Sequence, residues 1–243
     1  MPEEARPRWI EVSPERFAGW VAGFADRHGR PLSVEAAPDV VLFRAADGAA
    51  AACYPPFPPL PAGRPGTDPP PGTERAVVRQ AHRIAAHAEA DRTIGVLLVR
   101  LGGYAAGVFT GAPPRLADSK VGSRLVHGRS AAGGRSQHRF ARRREKQSAE
   151  ALDAAASTAA RVFGRYPGEL DAVVLGGDRR AMAGLRADPR LRRYFALAVD
   201  RFLTVPDPRL VVLQDTPRLF RAIRIQLTEP AAPAAPGRHG SGG

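Results

Sequence analysis

Cysteine is almost absent from this chain of 243 residues, in which Cys53 is the only one. A single cysteine excludes an internal disulfide framework and a cysteine-rich zinc site. Long apolar runs are missing too, because the most apolar stretch, IGVLLV at 94–99, has only the length of a strand. The N-terminal MPEEARPR has no apolar core of a signal peptide. We therefore expect a soluble, cytoplasmic protein with no membrane partner.

Lysine is also rare, since Lys120 and Lys146 are the only two among 36 basic residues. Arginine thus supplies nearly all of a formal net charge of +12. Such an excess indicates a polyanionic partner, above all nucleic acid. The abundance of Ala, Gly, Pro and Arg is typical of a GC-rich genome, which explains part of the excess but not its clustering.

The positive charge concentrates in residues 119–144, SKVGSRLVHGRSAAGGRSQHRFARRR, which we call the basic segment. It holds eight Lys or Arg and no acidic residue. Like charges at this density repel one another, and each phosphate contact relieves the repulsion with release of a counterion. The segment is therefore predicted to bind RNA through Lys120, Arg124, Arg129, Arg135, Arg139, Arg142, Arg143 and Arg144.

A Gly-Gly-x-Ser-Gln motif lies in the middle of the basic segment. Gly133 and Gly134 allow the backbone to approach a ligand without interference from side chains. Gln137 adds a neutral amide, both donor and acceptor, which can position a water molecule and stabilise an oxyanion. Taken alone the motif is weak, because short Gly/Ser/Gln loops are common.

A helix is predicted over about 137–163, because Leu152, Ala155, Ala159 and Val162 recur on one helical face. The arginines of the basic segment then fall in its first turns, where the helix dipole disfavours cations. A bound phosphate would offset this cost, since helix N-termini with nearby arginine are good anion sites.

Composition divides the chain into four parts. We expect a small α/β unit over 1–54, a Pro-rich linker over 55–73, the main domain over 74–228 and a disordered tail over 229–243. The linker assignment rests on nine prolines between positions 55 and 72.

The main domain shows strands alternating with helices, which indicates an α/β layer fold. A helix is expected over about 74–90, then a hairpin from TIGVLLVRL and YAAGVFTG, and a buried strand in ELDAVVLGGD. A helix carrying Met182 and Leu185 follows. We further expect a helix in RLRRYFALAV and a strand in LVVLQ.

Other catalytic groups are present without a diagnostic spacing. Gly176-Gly177 after the buried strand lacks the Lys-Ser/Thr of a phosphate-binding loop. Asp171, Asp178 and Asp215 lie near expected strand ends and could hold magnesium in a nuclease. His127 and His138 flank the motif and are candidates for acid–base chemistry or for RNA contacts.

Over about residues 92–215 the order of features resembles the central domain of archaeal and eukaryotic class I peptide-chain release factors. The resemblance is carried by the hairpin, by GGRSQHRFARRRE opening a long helix, and by AVVLGGD. Phe140, Arg142, Arg144 and Glu145 stand at the places of the family's helix start. No stop-codon-reading domain is recognisable, so the chain more closely resembles the Vms-like release factors, the actinobacterial-type peptidyl-tRNA hydrolases of ribosome rescue.

This resemblance implies a mixed sheet with flanking helices like that of the release-factor central domain, beside the small N-terminal unit. It implies hydrolysis of peptidyl-tRNA on stalled large ribosomal subunits, with ribosomal RNA and peptidyl-tRNA as partners and no cofactor. We expect a monomer. Where release factors carry the catalytic Gln directly after the two glycines, this chain has Arg135. We therefore assign the catalytic role to Gln137, supported by Gly133 and Gly134.

Two other functions fit the same residues. A tRNA acceptor-end endonuclease would recruit His127 or His138 and would leave a shortened tRNA. A non-catalytic RNA- or ribosome-binding protein would use the same basic surface and would not need Gln137.

Overall fold

The computed structural model describes residues 7–30, 32–62, 69–70, 72–100, 102–123 and 136–230, and for residues 136–145 it describes the backbone alone. Along the chain the elements are β1 (Arg8–Val12), α1 (Pro14–His28), β2 (Ser33–Ala36), β3 (Val41–Arg44), β4 (Ala50–Tyr54), α2 (Glu74–Glu89), β5 (Ile94–Arg100), β6 (Gly103–Thr110), β7 (Arg115–Ser123), α3 (Ser136–Phe163), β8 (Ala172–Gly177), α4 (Arg179–Leu185), α5 (Arg192–Phe195), β9 (Ala198–Leu203), α6 (Leu210–Gln214), α7 (Thr216–Phe220) and β10 (Ile223–Thr228). The predicted α/β class is confirmed, with two five-stranded sheets and flanking helices.

The chain forms two compact units. Unit 1 comprises 1–55, 59–87 and 223–243, and unit 2 comprises 56–58 and 88–222. This division differs from the boundaries expected from composition, because most of α2 and all of β10 belong to unit 1. β10 belongs to unit 1 because it is a strand with one buried face, in which every second residue is buried: Ile223, Ile225 and Leu227. Its backbone groups are paired on both sides, by β1 and by β4.

Unit 1 contains an antiparallel sheet in the order β1-β10-β4-β3-β2. The buried positions alternate along β3, β4 and β10, as expected for a sheet with one face in a core. Helix α1 adds Phe17, Val21 and Phe24 to the buried residues of this unit, at helical spacing. Pro14 occupies its first turn, where a missing N–H costs nothing.

Unit 2 contains a mixed sheet in the order β7-β6-β5-β8-β9. Strands β5, β8 and β9 run parallel, and the hairpin predicted around Gly103 joins β5 to β6 in antiparallel fashion. Helix α3 packs on one face through an apolar cluster that includes Ala155, Ala159 and Phe163. A second cluster with Ile94, Phe109 and Phe220 covers the other face. The sheet is thus buried on both sides, which explains the continuous apolar run of β5.

Two local predictions in unit 2 are wrong. LVVLQ forms the short helix α6 and not a strand: only Leu213 is fully buried, whereas Val211 is 66% exposed. In RLRRYFALAV the helix α5 ends at Phe195, and the chain then enters β9, which adds to the sheet beside β8. Open hydrogen-bonding positions at the edge of β8 outweigh the helix propensity of this stretch.

In the part of the chain that the structure describes, no helix combines the length and the apolar character that a membrane crossing requires.

Cys53 provides a probe of unit 1, because it is the only cysteine and lies fully buried on β4. Burial raises the pKa of its thiol, since the thiolate would lose its hydration. We predict that Ellman's reagent labels the native protein at least about 100-fold more slowly than the protein unfolded in guanidinium chloride. Rapid stoichiometric labelling of the native protein would contradict the position of β4.

Gly177 is the last residue of β8. Its φ of 101° lies in the region that favours glycine, and an added Cβ would lie 2.1 Å from the Val99 carbonyl oxygen. We predict that Gly177→Ala lowers the free energy of unfolding by about 3 kcal/mol or more. Gly168→Ala is the matched control, because Gly168 also has positive φ but open space around it. It should cost only about 1–2 kcal/mol in urea titrations. Equal costs would show that the Val99 contact is unimportant.

Candidate functional site

Four strands of unit 2 end at one edge of the sheet. β5 ends at Arg100, and the strands parallel to it, β8 and β9, end at Gly177 and Leu203. β7, which is antiparallel to β6, ends there at Ser123. We call this boundary the carboxyl edge. In α/β sheets the crevice outside the carboxyl ends of parallel strands is where ligands bind.

Helix α3 runs against the direction of β5 and β8. At the amino end of β5 the Phe163 ring packs so close to Gly95 that an added Cβ would lie 3.2 Å from it. At the carboxyl edge, Ser148 and Leu152 line a groove together with Arg100. Ser136 lies twelve residues before Ser148 in the same helix. The first turns of α3 therefore extend about 18 Å past the carboxyl edge.

The projecting turns are not required by the core. Among the described side chains of α3, the fully buried ones begin at Ala155 and end at Phe163. Residues 146–150 are exposed or half-buried. The second half of α3 thus holds the helix on the sheet, and the first half projects from it.

The predicted site residues fall into three groups. The backbone of Gln137, Arg139, Arg142, Arg143 and Arg144 lies on the projecting turns of α3. Lys120 is exposed on β7. The remaining predicted residues lie outside the described part of the chain: Gly133, Gly134, Arg124, Arg129 and Arg135. The chain leaves β7 at the carboxyl edge and is next described where α3 begins, beyond the same edge.

Lys120 belongs to a strand and not, as the basic segment suggested, to a loop. Its cross-strand partner is Ala106, which is buried in the cluster beneath α3. Lys120 therefore faces the same side of the sheet as α3. Among the described strands β7 pairs with β6 alone, which makes it an edge strand of this sheet, where lysine also protects against pairing with other chains.

The groove at the carboxyl edge has a volume of about 320 Å³. Its polar lining comes from Arg100, Tyr104, Ser148, Asp178 and Arg180. Of this set sequence reasoning named Asp178 alone, as a possible magnesium ligand, and the signal that could also have indicated Arg100 is its position at the end of a buried strand.

Hydrogen bonds hold the walls of the groove. Arg100 donates from its guanidinium to the Val205 carbonyl oxygen at 2.8 Å. The Asp178 carboxylate caps α4 by accepting from the Ala181 N–H at 2.9 Å. The Asp178 N–H donates to the Val99 carbonyl oxygen at 2.7 Å, which ties the start of α4 to the end of β5. These hydrogen bonds connect the end of β5 to the start of α4 and to Val205.

The three aspartates considered for magnesium do not come together. Asp171 precedes β8 and Asp178 follows it, so they lie at opposite ends of a six-residue strand, about 20 Å apart. The Asp171 carboxylate accepts from the Thr93 N–H at 2.8 Å, and Asp215 accepts from the Arg218 guanidinium at 2.7 Å. Within the described residues, no group of three His, Cys, Asp or Glu could hold a metal ion.

Residues 92–226, more than half of the chain, match the family model described as Actinobacteria/chloroflexi VLRF1 release factor. The chain belongs to this release-factor family. The match contains the carboxyl edge and all of α3. It confirms the family that Phe140, Arg142 and Arg144 indicated. Among curated proteins, none matches the chain at a significant level.

Three solved structures are similar to this VLRF1 family member at low identity. The Vms1 mitochondrial localization core has 8% identity, with 79% of this chain and 77% of that chain covered and a TM-score of 0.38. An archaeal translation termination factor, aRF1, has 13% identity, with 86% and 64% covered and a TM-score of 0.39. A structure described as an archaeal protein has 14% identity, with 71% and 48% covered and a TM-score of 0.30. The chain spans less than two thirds of the length of the last two.

The role of Asp178 as a helix cap leads to a prediction. Asp178→Ala removes the acceptor for the Ala181 N–H and should lower the free energy of unfolding by about 1 kcal/mol. Asp178→Asn should retain nearly full stability, since asparagine caps as well as aspartate. Thermal unfolding of both variants tests this. An equal loss in the two would mean that the charge, and not the cap, is what the protein requires.

Proposed function

We propose that this chain is a peptidyl-tRNA hydrolase that releases nascent chains from stalled large ribosomal subunits. Membership of a release-factor family and the projecting, arginine-bearing start of α3 support this function. The partners would be ribosomal RNA and peptidyl-tRNA in the cytoplasm, with the protein acting as a monomer and without a cofactor.

One observation carries the proposal: Gln137 is the second residue of α3. The first four N–H groups of a helix have no partner within the helix, so the Gln137 backbone N–H requires an acceptor from outside α3. The positive end of the helix dipole favours negative charge at the same place. An oxyanion at this helix end would meet a preorganised donor in addition to the Gln137 amide.

The reaction is the hydrolysis of one ester. A water molecule positioned by the Gln137 amide attacks the carbonyl carbon that joins the peptide to the tRNA ribose. The carbonyl oxygen takes up negative charge and accepts hydrogen bonds at the start of α3. The bond to the ribose oxygen breaks, the ribose oxygen takes a proton, and the products are a free peptide carboxylate and an intact tRNA. Most of the acceleration comes from positioning by the surrounding RNA.

The arginines explain why the helix begins with unfavourable charges. Arg139, Arg142, Arg143 and Arg144 would contact phosphates of ribosomal RNA and of the tRNA acceptor end, which reverses the cost of cations near the helix N-terminus. A projection of about 18 Å takes these residues away from the body of unit 2 and into a narrow RNA-lined space. Gly133 and Gly134 would let the backbone approach the ester.

Release from isolated 50S–peptidyl-tRNA complexes tests the proposal. Gln137→Ala should lower the release rate by at least about 100-fold, the usual effect of removing an oxyanion donor or a water-positioning group. Binding to the subunit should not change, because the arginines remain. His138→Ala, one residue further along the same helix turn, is the matched control and should retain activity.

The size of the released tRNA separates the alternatives. Full-length tRNA supports ester hydrolysis, whereas shortened tRNA with loss of activity in His127→Ala or His138→Ala would establish an endonuclease instead. Absence of release by the wild type would leave an RNA-binding protein. Adding Arg135→Gln to Gln137→Ala places glutamine directly after Gly134, and restored release would assign catalysis to that position.

A further inference from the structure

A second group of arginines lies outside the basic segment. Residues 179–193, RRAMAGLRADPRLRR, contain six arginines and one acidic residue, Asp188. All six arginines are exposed on α4, on α5 or on the loop between them. We call this the arginine surface. The apolar residues of the same stretch, such as Met182, Leu185 and Leu191, are buried in the cluster beneath α3. The segment is therefore well packed on one side and strongly basic on the other.

Three of these arginines are stacked on aromatic rings. The guanidinium carbon of Arg179 lies 4.4 Å from the ring centre of Phe202. That of Arg186 lies 5.3 Å from the ring centre of Phe195, and that of Arg193 lies 4.6 Å from the neighbouring ring of Tyr194. Stacking restricts the long side chain, so the conformational cost of binding an anion is reduced. Arg193 also donates one guanidinium N–H to the Tyr194 hydroxyl, which leaves its other N–H groups for an anion.

Arg190 has a different role from the other five. It donates to Asp188, to Asp153 of α3 at 2.7 Å and to Ser157 of α3 at 2.8 Å, and so ties the loop to the long helix. Its hydrogen bonds hold the pKa of Asp188 below the ordinary value. Arg190 is thus neutralised within the protein.

The other five arginines carry uncompensated charge. Across the described residues, no ion pair joins Arg179, Arg180, Arg186, Arg192 or Arg193 to a carboxylate. Three of the arginines could be present simply because they cover aromatic rings. Such a packing role does not explain why the surface lacks acidic partners. Charges of one sign this close together repel each other, and a polyanion stabilises them.

The spacing suits a phosphate backbone. Arg179 begins α4 and Arg186 follows its last residue, so the two are seven residues apart, which at the helical rise corresponds to about 10 Å. A nucleic acid strand carries one phosphate about every 3.4 Å of helix axis, so this interval spans about three phosphates. Guanidinium groups bind phosphate oxygens in bidentate fashion. No exposed large apolar side chain lies within the described stretch 179–193, whereas a protein or membrane surface would require one as an anchor.

We propose that the arginine surface is a second RNA-binding site, which grips phosphates independently of the chemistry at Gln137. α4 starts at the carboxyl edge and packs against α3, so the site begins next to the groove and continues along the same side of the sheet. It would hold the body of unit 2 on RNA while the start of α3 reaches further. This inference goes beyond the proposed function, because it does not depend on ester hydrolysis.

The test uses the full chain and a fluorescein-labelled RNA hairpin of mixed sequence, titrated over a range of KCl concentrations. The variant Arg180→Gln/Arg186→Gln/Arg193→Gln removes three positive charges from the arginine surface. The slope of log affinity against log salt should fall by about 2, or 0.7–0.9 for each lost phosphate contact. Gln137→Ala should keep the wild-type slope, so that a failure of the catalytic proposal is distinguishable from a failure here.

The matched control is Arg16→Gln/Arg27→Gln/Arg75→Gln, which removes the same charge from exposed positions of unit 1. It should leave the slope unchanged. If the stacked positions prove necessary for folding, as thermal unfolding will show, Arg180→Gln/Arg192→Gln tests the same surface without touching a stacked pair and should lower the slope by more than about 1.

Three results would overturn the proposal. An equal slope in the wild type and the triple variant, or an equal reduction in the control, would show that the arginines act only through net charge or not at all. Loss of binding to phosphatidylserine vesicles with unchanged RNA binding would assign the surface to a membrane instead.

Discussion

The candidate site depends on one packing interaction, the contact between the second half of α3 and the mixed sheet of unit 2. Ala155, Ala156 and Ala159 are small enough to bring the helix axis close to the strands, and Val162 and Phe163 fill the end of the interface. Buried apolar surface here stabilises the whole helix, because isolated helical turns are marginal in water. The first half of α3 can then carry residues chosen for a ligand and not for the core.

The arginines show the same division between residues that stabilise the fold and residues that serve a ligand. Where arginine serves the fold, as in Arg190 with Asp153 and Asp188, it is neutralised by carboxylates. On the arginine surface, the described residues supply no such partner to Arg179, Arg180, Arg186, Arg192 or Arg193. Net charge alone, which a GC-rich genome raises in many proteins, does not reveal this difference. The distribution of acidic residues does.

Periodic patterns allowed the sequence to predict α2, α3, the β5–β6 hairpin and β8, because each of these elements has a long or fully apolar face. The placement of β10 was not predictable, since its partners β1 and β4 lie about 170 to 220 residues away in the chain and pairing at that distance leaves no local trace. The groove at the carboxyl edge was missed for a similar reason. Arg100, Tyr104, Ser148 and Asp178 are ordinary residues in the sequence, and only the parallel alignment of β5 and β8 brings them to one place.

The length of α3 also means that a small tilt of the helix produces a large displacement of its start. Its start lies nineteen residues, or about 28 Å, from Ala155, where the fully buried residues begin among the described side chains of the helix. A tilt of the helix by about 10° around Ala155 would displace the helix start by about 5 Å, which is more than a catalytic contact tolerates. The precision of the distant end is therefore set by methyl-sized residues in the core. Substitution of a core alanine can therefore change the position of the start of α3 during evolution, while every residue that contacts the substrate stays the same.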